Sequence, residues 1–304
     1  MRAVFVDCTE ELRRVMEQQG LPRPDHVRVN IGDPSVDDLV RLGNEADVLL
    51  VEHTVIPSQV LDACPTVRGI VFMGTGAGTY VDTDDALRRG VTVLTTPGYG
   101  DRAVAEHALA LMMAAARNVA RMDRAIRSGA WRPMGGLQLE RRKLAVVGLG
   151  GIGSKLAEIG LALGMNVAGW NRSPREVQHF EADLDEALRD ADIVSLHVAL
   201  TAQTAGLLDA RRLALPKRGF ILVNTARAQL IDEAGLLSGL RSGQIGHAAL
   251  DVFPAEPLAR DNPYAGLDNV TLTAHAAYMT DDAYAELWRR TRLALETLER
   301  GWNT

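Results

Sequence analysis

Residues 143–173, KLAVVGLGGIGSKLAEIGLALGMNVAGWNRS, constrain the fold more than any other stretch. A short apolar run at 144–147 enters a glycine cluster made of Gly148, Gly150, Gly151 and Gly153. Apolar residues at helical spacing follow, among them Leu156, Ile159, Leu161 and Leu163, and Gly164 closes them. A second apolar run at 167–170 ends on Asn171, Arg172 and Ser173. Strand, tight turn, helix and strand in one span form the frame of a dinucleotide-binding βαβ unit. Gly148 permits the sharp exit from the strand, and Gly150 lets backbone N–H groups approach a pyrophosphate. Gly153 lets the helix pack closely on the strand. The helix that starts after Gly151 offers unpaired N–H donors and the positive end of its dipole to phosphates. Glycine clusters also serve plain turns, so the flanking strand and helix carry the reading.

The end of the second strand bears on which dinucleotide is bound. An acidic residue there would accept from the ribose hydroxyls, but this chain has Asn171-Arg172-Ser173. A carboxylate repels a 2′-phosphate, whereas an amide, a guanidinium and a hydroxyl can bind one, with Arg172 in fork geometry. The expectation is NADP(H) as preferred cofactor, with NAD(H) as the alternative. The same residues, followed by Pro174, also suit an ordinary solvated turn.

At 304 residues the chain is long enough for two domains. Its net charge of −6 speaks against a nucleic-acid surface. Cys8 and Cys64 are its cysteines, with no metal-ligand spacing, so neither a disulfide framework nor a metal site is expected. No apolar run approaches the ~18 residues of a membrane span. The first residues lack the pattern of a signal peptide, and the expected location is cytoplasmic.

In the first hundred residues, strand patterns at 3–6, 27–30, 48–51, 69–73 and 91–95 alternate with helical ones at 10–19, 36–43, 57–63 and 82–89. Such alternation predicts a parallel sheet covered on both faces, here in a smaller α/β domain. GTGAGTY at 74–80 could turn backbone N–H groups toward an anion, and serves a flexible loop equally well. After the Pro97-Gly98 turn, Asp101 is placed to cap one long helix running to about Arg127. Its apolar residues, including Val104, Leu109, Leu111, Met112 and Met113, extend beyond one stripe and predict burial on several sides. His107 on this helix reads as structural. Further buried strands are predicted at 192–198, 220–224, 247–252 and 270–274. A helix capped at Thr280 then runs to about Arg300, ending at Gly301.

A polar cluster follows each late strand, at the sheet edge where open parallel sheets bind ligands. Arg227, Asp251, Glu256 and His275 lie at or near four such exits. Hydride transfer to a 2-oxo acid needs a cation for the carboxylate and carbonyl. It also needs an acid for the developing alkoxide and a carboxylate beside that acid to hold its proton. Arg227, His275 and Glu256 are these types in turn. His197, after a buried strand, is placed to line the cofactor cleft.

The motifs VVGLGGIG, DIVSLHVALT, NTARAQLID, AALDVFPAEP and TAHAAYMT together resemble the D-isomer-specific 2-hydroxyacid dehydrogenases. The resemblance covers nearly the whole chain and is strongest from Val91 to His275. It implies two Rossmann-like, doubly wound parallel-sheet domains, the nucleotide domain inserted into the other. That places 1–98 with 276–304 in a substrate domain and 99–275 in the dinucleotide domain. It implies a catalytic Arg227, with Glu256 pairing the acid–base His275, and a backbone cradle for the substrate carboxylate at Thr75, Gly76 and Ala77. Asp251, Thr225 and Ala226 would contact the nicotinamide carboxamide region. Val104, Ile152, Val198 and Thr204 would join Gly148, Gly150, Gly151, Gly153, Asn171, Arg172, Ser173, His197 and His275 around the cofactor. The helix at 101–127 would form a homodimer contact.

Several positions depart from the family pattern. Thr79 stands where an Asp is common, Ala199 replaces the proline of an HxPLT segment, and the glycine of an HIGG-like ending is absent, since His275 is followed by Ala276 and Ala277. The expected activity is NADPH-dependent reduction of a small 2-oxo acid of the glyoxylate or hydroxypyruvate type. The alternatives are an NAD-dependent D-2-hydroxyacid or phosphite dehydrogenase and, from another class, a dinucleotide-sensing protein similar to corepressors on this scaffold.

Overall fold

The computed structural model describes residues 1–302. The chain forms two compact units: Met1–Gly100 together with the segment from Met279 onward, and Asp101–Tyr278.

The first unit is built on β1 (Ala3–Cys8), β2 (Val27–Ile31), β3 (Val48–Val51), β4 (Gly69–Phe72) and β5 (Thr92–Thr95). All pairings are parallel, in the order β2-β1-β3-β4-β5, with Ala3 opposite both Val27 and Val48. Every residue of β1, β3 and β4 is buried, as expected of parallel strands covered on both faces. Helices α1 (Glu10–Gln18), α2 (Val36–Gly43), α3 (Ser58–Ala63) and α4 (Thr83–Arg88) alternate with them. Side-chain caps start three of these: Thr9 on Leu12 N–H, Ser35 on Asp38 N–H, and Asp82 on Asp85 N–H. The C-terminal helix (Asp281–Trp302) covers one face of this sheet, with Thr280 Oγ1 accepting from Ala283 N–H at its start. Its Trp288 stacks on Phe5 at 6.4 Å between ring centroids, and its indole N–H reaches the Pro22 carbonyl. Gly69 lets it approach, because a Cβ there would meet Leu298 at 2.9 Å.

The second unit opens with α5 (Asp101–Ala116) and α6 (Val119–Arg127). Then come β6 (Lys143–Val147), α7 (Gly151–Ala162), β7 (Asn166–Trp170), β8 (Phe180–Glu181), α8 (Leu184–Leu188) and β9 (Ile193–Leu196). It closes with α9 (Ala210–Leu213), β10 (Phe220–Asn224), α10 (Glu233–Ser242), β11 (Ile245–Leu250) and β12 (Val270–Leu272). Its seven parallel strands run β12-β11-β10-β9-β6-β7-β8. The strand order therefore reverses between β6 and β9, the doubly wound arrangement with its ligand crevice at that point. One core layer packs Leu111, Met112, Leu156 and Ala157 of α5 and α7 against Leu144, Val146, Ile221 and Val223. The other holds Leu184, Leu188, Leu236, Leu240 and Phe253 against the opposite face.

The predicted single helix at 101–127 is two helices. Asn118 adopts φ 54°, a left-handed conformation that Asn tolerates better than most side chains. The returning loop secures this break, because Leu137 N–H donates to the Ala116 carbonyl and the Asn118 amide donates to the Gly135 carbonyl. Asp101 lies inside the first turn rather than capping it. Met113, expected in the core, is 43% exposed, whereas Met112 is buried. The predicted strands 192–198 and 270–274 are shorter, since each chain leaves its ladder where the ligand-edge loops begin.

His247 on β11 is buried and shares a 2.9 Å hydrogen bond with Thr271 Oγ1. Burial, helped by the charges of Arg124 and Arg121, depresses its pKa to about 4. The folded form therefore keeps His247 neutral while the unfolded chain protonates below pH ~6.5, so stability falls as pH drops from there towards about 4. Chemical unfolding at pH 8 and pH 5 should show the wild type losing about 2 kcal/mol more than His247→Gln.

Candidate active site

The glycine turn between β6 and α7 opens the crevice at the strand-order reversal. Gly148 has φ 106°, and a Cβ there would press on the His197 backbone at 2.7 Å. A Cβ on Gly153 would overlap the Gly148 carbonyl oxygen, so glycine is what lets α7 lie on the turn. Gly150 is different: nothing lies within 4 Å of where its Cβ would be. It starts α7 without a side-chain cap, leaving the helix N-terminus open to an anion. Gly151 lies outside the usual glycine pattern and has its own reason, since a Cβ there would overlap the Asp101 carboxylate.

Around this turn two buried polar atoms have no hydrogen-bond partner among the described residues: His197 Nδ1 and Thr225 Oγ1. They lie just beyond β9 and β10, and both residues were predicted to face a cofactor. Burial depresses the His197 pKa to about 3, so its imidazole is neutral, with Nε2 2.8 Å from Ser195 Oγ. An open helix N-terminus, an open Gly150 and orphaned polar atoms beside it fit a dinucleotide. Val104 and Ile152, on α5 and α7, are partly buried. Val198 packs against Gly148. Thr204 Oγ1 ties its own loop, donating to the Ala199 carbonyl and accepting from Thr201 N–H, each at 2.7 Å.

The turn after β7 divides its work. The Asn171 carbonyl oxygen accepts from Leu149 N–H and its amide donates to the Ser173 carbonyl, so this side chain braces the glycine turn. Arg172 is exposed and makes one 3.3 Å bond to Gln203, and Ser173 is exposed.

The exits of β10, β11 and β12 carry the remaining candidates. Asn224 shapes the first: its side chain accepts from Ala226 N–H and donates to the Arg227 carbonyl, which sets the turn that presents Arg227. Arg227 reaches back to the Ala226 carbonyl at 2.7 Å. Glu256 accepts from Phe253 N–H through Oε1, and its Oε2 lies 2.6 Å from His275 Nδ1. Burial works to raise the Glu256 pKa, but the bonds from His275 and Phe253 and the charges of His275 and Arg227 outweigh it, and the carboxyl is held below its usual value. The structure thus brings Glu256 and His275 into contact, and the Arg227 charge is felt at Glu256.

His275 stands in a left-handed backbone conformation, φ 51°, which strains a non-glycine residue by about 1–3 kcal/mol. Asp251 supports it. Its carboxylate is fully buried and accepts from Thr273 Oγ1 at 2.6 Å and from the N–H groups of Ala276 and Ala277 at 3.0 Å. Its carbonyl accepts from His275 N–H at 2.8 Å. Asp251 is the residue that the resemblance places at the nicotinamide; in the structure its carboxylate is enclosed and holds the histidine loop.

In the first unit, residues 74–80 turn after β4 into a single 3-10 turn (Ala77–Thr79), with Thr75 exposed, Gly76 half-buried and Ala77 buried. At this sheet's own reversal, between β1 and β3, sequence reasoning missed a second brace. The fully buried Asp7 accepts from the N–H groups of Glu52, His53 and Thr54 at 2.6–2.8 Å. His53 Nε2 lies 2.6 Å from Asp33. Burial opposes its charge, but the Asp33 bond and the charges of Asp7 and Glu52 prevail, and its pKa is raised. An acidic residue at the end of an apolar strand was the available signal. Among the described residues no group of three metal-binding side chains is found, and no helix is long and apolar enough to cross a membrane.

A doubly wound sheet with an open helix N-terminus at its reversal, and with arginine, carboxylate and imidazole at neighbouring strand exits, is an arrangement suited to binding a dinucleotide next to acid–base groups. Residues 109–277 match the family model of the D-isomer specific 2-hydroxyacid dehydrogenase NAD binding domain. The chain is 36% identical over 281 residues to the glyoxylate reductase of Aeropyrum pernix, covering 88% of this chain and 82% of that protein. It is 33% identical over 283 residues to the D-3-phosphoglycerate dehydrogenase of Archaeoglobus fulgidus, covering 90% of this chain. It spans about half of that relative, 53%. Among solved structures, an acyclic imino acid reductase in complex with NADPH and D-Arg superposes with a TM-score of 0.85 at 27% identity, over 99% of this chain and 98% of that one. The chain belongs to the D-isomer specific 2-hydroxyacid dehydrogenase family.

The two glycine environments separate folding from binding. Gly153→Ala should cost about 1–3 kcal/mol in chemical denaturation, because α7 must leave its strand. Gly150→Ala should change stability by under about 1 kcal/mol while weakening dinucleotide binding about tenfold in a fluorescence titration.

Proposed function

We propose that this chain reduces a small 2-oxo acid of the glyoxylate or hydroxypyruvate type to the D-2-hydroxy acid, with NADPH as preferred cofactor. The observation that carries the reading is the 2.6 Å contact between His275 Nδ1 and Glu256, with the Arg227 charge close by. A bound nicotinamide dinucleotide supplies the hydride. Glu256 holds the Nδ1 proton of His275 and so turns Nε2 outward as the donor to the carbonyl oxygen. Arg227 binds the substrate carboxylate and polarises the carbonyl, stabilising negative charge as it develops on oxygen. The Thr75, Gly76 and Ala77 backbone is the further candidate for the carboxylate. Thr225 and His197 offer their orphaned polar atoms to the cofactor.

The NADPH preference is supported by an exposed Arg172 and Ser173 in a turn without a carboxylate, and by the imino acid reductase solved with NADPH. An NAD-dependent hydroxyacid dehydrogenase is the second reading, favoured by the engagement of Asn171 with Leu149 and Ser173, which removes one of three groups from a 2′-phosphate. The reading includes a homodimer through 101–127, where Met113, Val119 and Ile126 are exposed.

Steady-state oxidation of NADPH and NADH with glyoxylate, hydroxypyruvate, pyruvate and phenylpyruvate tests this. Turnover with kcat/KM at least about tenfold higher for NADPH supports both parts, a fork-geometry ion pair being worth about 1.4 kcal/mol or more. A preference for NADH keeps the reaction and removes the cofactor assignment. His275→Ala should lower kcat by about a thousandfold with cofactor affinity nearly unchanged. A near-normal kcat would remove the acid–base role.

A further inference from the structure

We infer that His107, on α5, is a positioning residue for His275, acting through Thr273 and Asp251. This rests on the reaction proposed above for the site. His107 Nε2 lies 3.1 Å from Thr273 Oγ1 and 3.6 Å from Asp251 Oδ1. The direction of each bond follows from its partners. Asp251, an acceptor, takes the Thr273 hydroxyl proton at 2.6 Å, so Thr273 Oγ1 can only accept from His107, which must carry its proton on Nε2. His107 N–H thus fixes the Thr273 rotamer, and Thr273 fixes one oxygen of the buried carboxylate that Ala276 N–H also uses.

That carboxylate is what holds the strained His275 backbone. Loss of the His107 bond leaves Thr273 Oγ1 held by Asp251 alone and removes a donor from the neighbourhood of a fully buried anion. The loop carrying His275 is then less tightly held, and its imidazole is misplaced against Glu256. His107 comes from a helix far away in sequence, 166 residues before Thr273, and none of the bonds it makes reaches the reacting groups directly. Its effect should therefore fall on the alignment of the proton donor and leave cofactor binding alone.

The test uses four variants of the whole chain: His107→Leu, His107→Gln, Thr273→Val and the His107→Leu/Thr273→Val double. Expected are a loss in kcat of about 10- to 100-fold for each single deletion, an unchanged dinucleotide Kd, and recovery of most activity in His107→Gln, whose amide can still donate. The double variant should be no worse than either single, since both cut one chain of bonds. A second readout does not depend on turnover. In a spectrum of the 15N-histidine-labelled protein, the His275 Nδ1–H bonded to Glu256 should give a slowly exchanging signal in the wild type and His107→Gln. That signal should be lost in His107→Leu and Thr273→Val. If His107→Leu loses its cooperative melt, the isosteric Thr273→Val carries the same comparison. Additive losses in the double variant, or a His275 signal that survives both deletions, would overturn the inference. A wild type that turns over no 2-oxo acid removes the reaction reading, and the histidine spectrum still decides the positioning role.

Discussion

The carboxylate of Asp251 is the interaction on which the site depends. It is fully buried, and an uncompensated anion in such a place is expensive. Three donors from residues 273, 276 and 277 compensate it, and they span the residue whose backbone is strained. The energy of those bonds is what keeps His275 in a left-handed conformation with its ring against Glu256. Remove the anion, and the His275 N–H bond to the Asp251 carbonyl and the ring contact with Glu256 are left to oppose that strain. The same device, a buried carboxylate at a strand exit collecting backbone N–H groups, recurs in the first unit at Asp7. In both sheets a strand is therefore followed by a loop whose shape is set by charge rather than by apolar packing.

Much of the fold was legible because its signals are local. Gly148 and Gly153 are required by contacts within six residues of chain or by one neighbouring strand, and apolar runs of four to six residues mark buried parallel strands directly. The candidates Arg227, Glu256 and His275 were visible as polar residues after such runs. What escaped reading depends on chain segments meeting from afar. The break at Asn118 needs the loop at 135–137 to return and bond Ala116. The third glycine, Gly151, is explained by a carboxylate 50 positions earlier. Asn171 looked like a phosphate ligand, but Leu149 N–H claims it, and a sequence pattern cannot tell which partner an amide will choose. Asp251 and His107 were each assigned by type, and their partners lie 22 to 166 residues away.

The paired glycine environments show how one short turn serves two demands. Where the chain must pack on itself, at Gly148 and Gly153, a methyl group would collide with backbone. Where it must admit something else, at Gly150, there is open space and an uncapped helix start. Asp101 beside Gly151 adds an anion to the same helix end, which the helix dipole favours while that end is otherwise open.

The seven-stranded sheet tapers at its rims, to three residues in β12 and two in β8, while its interior strands run four to six. Parallel pairings close long loops and form slowly, so the interior strands spend time with bare edges during folding. The finished rims, by contrast, present few open N–H and C=O groups for a foreign strand to pair with. Those two short strands therefore act as the sheet's guard against self-association. Peeling either one off would bare a longer strand edge to other chains, and at β12 it would also carry away the loop that holds His275.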